Sequence, residues 1–188
     1  MEHTVIDQIV VEHDELTRHL LEAQQLSLLN SSDAAFRKSL ALAAASSFEV
    51  KVIGCIVSFV AARANSDTLT IAFVKNQALE RKYHTLFQWR GTSAASFFGL
   101  FGPAFKAAMD KRVKGDKMLD DSIRAFLELG NLRNELAHED FASYPMNKSV
   151  PEVYDLYKRA RLFVESLPQL LAQFAVPPQP EQESASAA

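Results

Sequence analysis

An all-α fold, an up-and-down bundle of about five to six helices, is what this sequence predicts, and three observations carry the expectation. Turn formers are scarce: six Gly and seven Pro in 188 residues, with three of the prolines in the last thirteen positions. Ala, Leu and Phe are abundant, and apolar residues recur at helical rather than strand spacing. Between the apolar stretches stand short polar clusters of the kind that cap helices. At 48% hydrophobic and 23% charged residues the composition is ordinary for a globular chain, long enough to bury a sizeable core. One domain over residues 1–175 is expected, an N-terminal helix (1–30) followed by a core bundle (33–172), with a disordered tail over 176–188.

The first helix is expected from Thr4 to Leu29, with Val5, Ile9, Leu16 and Leu20 on its apolar side. Its histidines, His13 and His19, and His3 before it, read as surface residues. Asn30-Ser-Ser-Asp33 reads as a break, with Ser32 or Asp33 capping a second helix that runs to about Asn65. Residues 41–62 are apolar nearly all round, the mark of a central buried helix, and Glu49 and Lys51 interrupt them. A carboxylate in such a helix is costly unless paired, so Glu49 either sits at a rim or points toward a polar site. Ser66-Asp67 caps a third helix over about Thr68–Phe87, whose polar face carries Lys75, Arg81, Lys82 and His84. Gln88–Ser93 is a break. Phe97, Phe98, Phe101 and Phe105 follow among small breakers, a pattern met far more often in cores than in base-stacking platforms.

Pro103 suits the first turn of a helix that ends near Lys114-Gly115. Asp116 or Asp120 starts the next helix, which ends near Glu139-Asp140. Ser149-Val-Pro-Glu152 fits a capping box for the last helix, which reaches about Ala172, with Pro168 ending or kinking it. The tail from Val176 has the composition of a disordered segment.

Several function classes find no support. The longest apolar run, residues 52–62, is too short to cross a bilayer, and no basic region followed by an apolar stretch opens the chain. No membrane partner is expected, and the reading is a soluble cytoplasmic protein. Cys55 stands alone, which rules out an internal disulfide or a cysteine zinc site, and it reads as an inert core residue. No Gly-rich phosphate loop, no His-Glu-x-x-His and no carboxylate set with metal-ligand spacing is present, so neither cofactor nor metal is expected. The net charge of −3 is unevenly spread: residues 75–117 hold nine bases against three acids. Within them Lys106, Lys111, Arg112, Lys114 and Lys117 form the densest basic cluster, and they lead straight into the next helix. These five are the candidate RNA-binding residues, expected to line the approach to the site described next.

That site is the end of the 117–139 helix. At 100° per residue Phe126, Leu129, Leu132 and Leu136 make one apolar stripe. Asn134 and His138, four apart, lie together on the opposite face, with Arg133 between stripe and face. By chemistry alone such residues also suit a plain exposed face. The pattern Arg133-Asn134-x-x-x-His138 resembles the signature of the HEPN superfamily, an Arg followed after four to six residues by a His, usually with a polar residue directly after the Arg. The closest likeness is to RiboL-PSP-type HEPN domains, on the run Leu132-Arg-Asn-Glu-Leu-Ala-His138, and the resemblance covers loosely residues 33–172.

By elimination His138 is the best acid–base candidate, because histidine is the side chain that titrates near neutral pH. Arg133 can hold a phosphate through its planar fork, and Asn134 can bond the phosphate or orient His138. Glu139 places negative charge beside the imidazole, and Glu49 is the supporting carboxylate on an early helix, a feature many HEPN domains share. An RNA substrate brings its own nucleophile, the 2′-hydroxyl, and needs no metal. One protomer offers one such histidine in the motif, whereas the reaction profits from two proton-transferring groups.

The resemblance implies a homodimer joined through the motif face, with the two motifs meeting across a symmetric interface. It implies a metal-independent endoribonuclease that leaves cyclic or 3′-phosphate and 5′-hydroxyl ends, a toxin or antiphage effector, and an antitoxin or regulatory protein as partner. In some subgroups a Tyr two residues after the His is nucleotidylated; Asp140 stands there instead. The alternative is a non-catalytic HEPN module that binds nucleotide, RNA or protein.

Overall fold

The computed structural model describes residues 3–80 and 82–174, and the expected disordered tail lies outside them. Among the described residues there are eight α-helices and no strand: α1 (Val5–Glu22), α2 (Leu26–Arg63), α3 (Thr68–Val74), α4 (Tyr83–Leu86), α5 (Ala95–Gly99), α6 (Pro103–Gly115), α7 (Lys117–His138) and α8 (Val150–Gln173). The count exceeds five to six for two reasons. The expected 68–87 helix is divided: α3 passes into a π-helical turn, Lys75–Leu79, and helix resumes only at Tyr83. The Phe-rich stretch also forms one short helix of its own, α5.

Four long helices make the body. α7 and α8 pack along each other, α2 lies against both, and α1 lies on α2. Their apolar faces meet in a core that includes Phe48, Phe126, Leu129, Tyr157, Phe163 and Leu167. The ring of Phe48 stacks on Tyr157 at 5.2 Å, and Phe126 meets Phe163 edge-on at 5.2 Å. Phe97, Phe98 and Phe105 are buried in the same aromatic cluster, so they are core and not a stacking platform.

The first break falls earlier than expected, at Ala23–Gln25, and residues 30–33 are continuous helix. Gln24 takes a positive φ of 56°, which turns the chain between α1 and α2. Ser31 satisfies its hydroxyl inside the helix by donating to the Ser27 carbonyl, so it needs no break. Asp33 caps nothing; it stands 3.5 Å from His13 of α1. His13 in turn is buried and stacked on Phe36 at 3.8 Å, which corrects its reading as a surface residue. Its flat ring suits the narrow space where α1 crosses α2.

The start of α1 is fixed by a dense polar knot. Thr4 and Asp7 form a capping box. The Asp7 carboxylate also accepts from the Tyr154 hydroxyl at 2.8 Å and stands 3.5 Å from the buried Arg161 guanidinium, both on α8. The expected Ser149/Glu152 box opens α8, with Pro151 in its first turn. Pro168 does not end α8, which continues to Gln173. Gly102, at φ 101°, turns the chain into Pro103 and α6.

α2 differs from the fully buried helix its composition implied. By length and apolar content it contains a stretch able to cross a bilayer, yet only 39% of that stretch is buried inside the protein. One face, with Ala44, Phe48, Val52 and Ile56, enters the core. The other leaves Val50 70% exposed, and α3 beside it leaves Leu69 80% and Phe73 69% exposed. Cys55 is only half-buried, and desolvation holds its thiol above the usual range.

Candidate active site

α7 carries two jobs on opposite faces. Its apolar stripe, Phe126, Leu129, Leu132 and Leu136, is buried, which turns Arg133, Asn134 and His138 outward. The helix begins at Asp116, whose side chain accepts from the Leu119 amide at 3.0 Å. It ends at His138, so Glu139 is the first non-helical residue and its amide donates to the Glu135 carbonyl.

The outward face is only partly open: Arg133 and Asn134 are half-buried, whereas His138 is exposed. Segment 83–91, comprising α4 and the turn after it, stands against it and leaves a cleft of about 930 Å³. Glu49, Arg133, Asn134, His138 and Glu139 line it together. Glu49 faces the motif from α2, its Oε2 3.7 Å from Arg133 Nη2. Arg133 Nη1 also donates to Asn134 Oδ1 at 3.2 Å. Asn134 thus contacts the guanidinium rather than His138. Asn131 donates to Glu135, and Glu135 accepts from the Tyr144 hydroxyl, which ties the 139–149 loop to α7.

The wall opposite α7 was not among the expected site residues. Tyr83, His84, Gln88, Trp89 and Arg90 line the cleft from that side. The Tyr83 phenol is held well above the ordinary tyrosine range, chiefly by burial and secondly by the Glu49 charge, with Arg133 acting in the other sense. It therefore remains a proton-bearing donor at the base of the cleft. Trp89 packs among Tyr83, Phe87 and Phe126 and donates its indole N–H to the His84 carbonyl at 2.8 Å. His84 was visible in the sequence only as one of several polar residues on an expected long helix. Its place in the cleft depends on helix ending at Leu79 and a separate helix starting at Tyr83, which periodicity did not show.

The basic cluster stands elsewhere. None of Lys106, Lys111, Arg112, Lys114 and Lys117 lines the cleft. Lys117 opens α7 and His138 closes it, so they are about 30 Å apart along the axis at 1.5 Å per residue. Lys106 pairs with Asp110 at 2.8 Å, and Arg112 donates to Gln173 at 3.0 Å. Adjacency in sequence misled here because the cluster precedes the wrong end of the helix. No group of three or more His, Cys, Asp or Glu able to hold a metal ion occurs among the described residues.

The family model described as RiboL-PSP-HEPN matches residues 7–173. The chain belongs to this HEPN family. The match takes in α1 and so extends beyond the 33–172 span over which the sequence resembled it. Searches of curated proteins and of solved structures return no match. The helical architecture is the one expected of a HEPN domain. In this member the two helices that flank the cleft, α2 and α7, place an acid, a guanidinium, an amide and an imidazole around one opening.

Proposed function

We propose that this HEPN domain is a metal-independent endoribonuclease whose active site is the cleft between α7 and segment 83–91. The observation that carries the reading is the convergence of Arg133, Asn134 and His138 with Glu49 in one cleft of ligand-binding size. Arg133 holds the scissile phosphate, with Glu49 and Asn134 fixing the orientation of its fork. The substrate's 2′-hydroxyl attacks the adjacent phosphorus and the P–O5′ bond breaks. His138 moves a proton in that step, giving a 2′,3′-cyclic phosphate and a 5′-hydroxyl.

The working form is a homodimer. Support comes from the uncovered apolar surface of α2 and α3, with Val50, Leu69 and Phe73 each about 70–80% exposed. Val50 is the next residue of α2 after Glu49, about 100° round the helix from the side that faces the motif. Two motifs facing each other form a composite site of the kind the family resemblance implies. A toxin or antiphage role under the control of an antitoxin or regulatory protein fits an RNase of this sort.

The test is cleavage of RNA by the purified chain in EDTA, compared with His138→Ala. The expected result is cleavage by the wild-type chain with cyclic-phosphate ends, and a loss of about 10²–10⁴-fold in the variant. No cleavage at any enzyme concentration, with binding retained, would instead establish a non-catalytic binding module.

A further inference from the structure

The chain has four tyrosines. Three engage their hydroxyls with protein: Tyr144 donates to Glu135, Tyr154 donates to Asp7 at 2.8 Å, and Tyr157 meets the Thr4 hydroxyl at 2.9 Å. Tyr83 is the exception. Among the described residues its hydroxyl takes part in no hydrogen bond, although the residue is only 8% exposed. A buried phenol ordinarily finds a partner. Nor is this oxygen sealed inside the core: the buried side-chain polar atoms left without a partner among the described residues are Arg37 Nε and Ser96 Oγ. The Tyr83 hydroxyl therefore reaches the cleft that the residue lines.

Its neighbours define what it can bind. Tyr83 borders the same small recess at the foot of the cleft as Glu49, Arg133 and Asn134. The charges of Glu49 and Arg133 both act on its phenol, and burial first and Glu49 second keep it protonated. The ring is held in place. It packs 6.2 Å from Phe87 and 5.6 Å from Trp89, and Trp89 is itself pressed against Gly130 of the motif helix. A neutral O–H is thus positioned near the guanidinium before any ligand arrives. Such a donor suits an anionic oxygen. It adds a hydrogen bond without adding a charge, and from a wall of low dielectric that bond is stronger than in water.

We propose that the Tyr83 hydroxyl is a catalytic hydrogen-bond donor of the cleft, bonding a non-bridging oxygen of the scissile phosphate alongside Arg133. The proposal rests on the ribonuclease reading above. As the O2′–P bond forms and the P–O5′ bond breaks, negative charge gathers on the non-bridging oxygens, and a fixed donor binds them more strongly at that point than before it. Tyr83 keeps its proton throughout. The proton transfers remain with the motif histidines, one from each protomer of the composite site, so Tyr83 adds to that site and replaces no part of it.

The experiment follows kcat and KM of the wild-type chain, Tyr83→Phe and His138→Ala on a short RNA in EDTA across pH, together with melting temperatures. Tyr83→Phe keeps the ring and leaves no protein group without a partner, so its melting temperature should match wild type. Its kcat should fall by about 10²-fold while KM stays within about twofold. The limbs of its pH profile should stay where they are in wild type, because the phenol moves no proton. A substrate with sulfur at one non-bridging oxygen of the scissile phosphate tests the contact itself, since sulfur accepts hydrogen bonds poorly. One diastereomer should be cleaved slowly by wild type, and that penalty should shrink in Tyr83→Phe while the penalty on the other stays. A kcat within about twofold of wild type, a lost pH limb, a drop in melting temperature in step with the loss of activity, or unchanged penalties on both diastereomers overturns the assignment while leaving the ribonuclease reading in place. Absence of cleavage by the wild-type chain, or full activity of His138→Ala, removes the ribonuclease reading itself and this proposal with it.

Discussion

Trp89 lies so close over Gly130 that no side chain fits between them: an added methyl would come within 2.1 Å of Cζ3 and 2.2 Å of Cε3. The contact joins the two walls of the cleft. Glycine in the middle of a helix costs about 1 kcal/mol relative to alanine, so its presence inside α7 reflects this packing rather than helix formation.

Gly130→Ala should therefore fail to give the usual helical gain. Trp89 is hemmed in by Tyr83, Phe87 and Phe126, and its N–H is engaged, so it cannot swing aside cheaply. Overpacking of this kind costs about 1–3 kcal/mol, which outweighs the propensity term. A lower melting temperature together with reduced cleavage is expected; a rise in melting temperature with activity unchanged would show that the wall is not held this way.

Glu49→Gln should separate binding from turnover. The Glu49–Arg133 pair is partly exposed, so its loss costs less than about 1 kcal/mol of stability. Removing the carboxylate takes negative charge from a cleft built for phosphate and lets Arg133 move. KM should fall while kcat drops by about tenfold. Steady-state kinetics on a short RNA read both. Equal changes in the two constants, leaving kcat/KM unaltered, would not fit a positioning role.

Lys111→Glu combined with Lys114→Glu should discriminate by substrate length. These residues sit near the α6–α7 junction, about 30 Å along α7 from His138. A dinucleotide in the cleft does not reach them, so its cleavage should be unchanged. If long RNA follows the α6 surface, its KM should rise about tenfold and lose part of its salt dependence. An unchanged KM for long RNA would remove the basic cluster from the binding surface.

Asp7 should carry part of the acid sensitivity of the fold. Burial on its own would raise its carboxyl, but hydrogen bonds from Thr4 and Tyr154 and the Arg161 charge outweigh it and hold the group below its ordinary value of 3.8. A depressed folded-state value means that the contribution is fully present above about pH 4 and is lost as pH falls through that lower value. Asp7→Asn should cost about 1–3 kcal/mol at neutral pH. Melting temperatures from pH 7 to pH 3 should show the gap between variant and wild type closing below about pH 4. A gap that stays constant would assign the effect to shape alone.

What could be read from sequence follows the physics of each signal. The two amphipathic helices with caps, α7 from Asp116 and α8 from Ser149, were legible because periodicity and capping chemistry agree there. Glu49 was legible as a residue needing a partner, since an acid in an apolar helix poses that question by itself. The end of α1 was not, because Gln24 is no turn former and the Asn30–Asp33 cluster mimics a cap, although Ser31 is satisfied within α2 and Asp33 stands beside His13 of α1. His13 was misread because a histidine stacked on a phenylalanine leaves no periodic trace. The second wall of the cleft was hidden for a different reason. It depends on a tertiary contact between Trp89 and Gly130, forty-one positions apart, and neither residue alone announces the other.

Trp89 is also the chain's single tryptophan. Indole emission from this protein therefore originates at one place, the wall of the cleft. A nucleotide entering beside it would quench or shift that emission with no label added, and denaturant would report first on whether this wall parts from α7. Comparing that signal with circular dichroism, which senses all the helices, shows directly whether the cleft and the bundle come apart in one step or two.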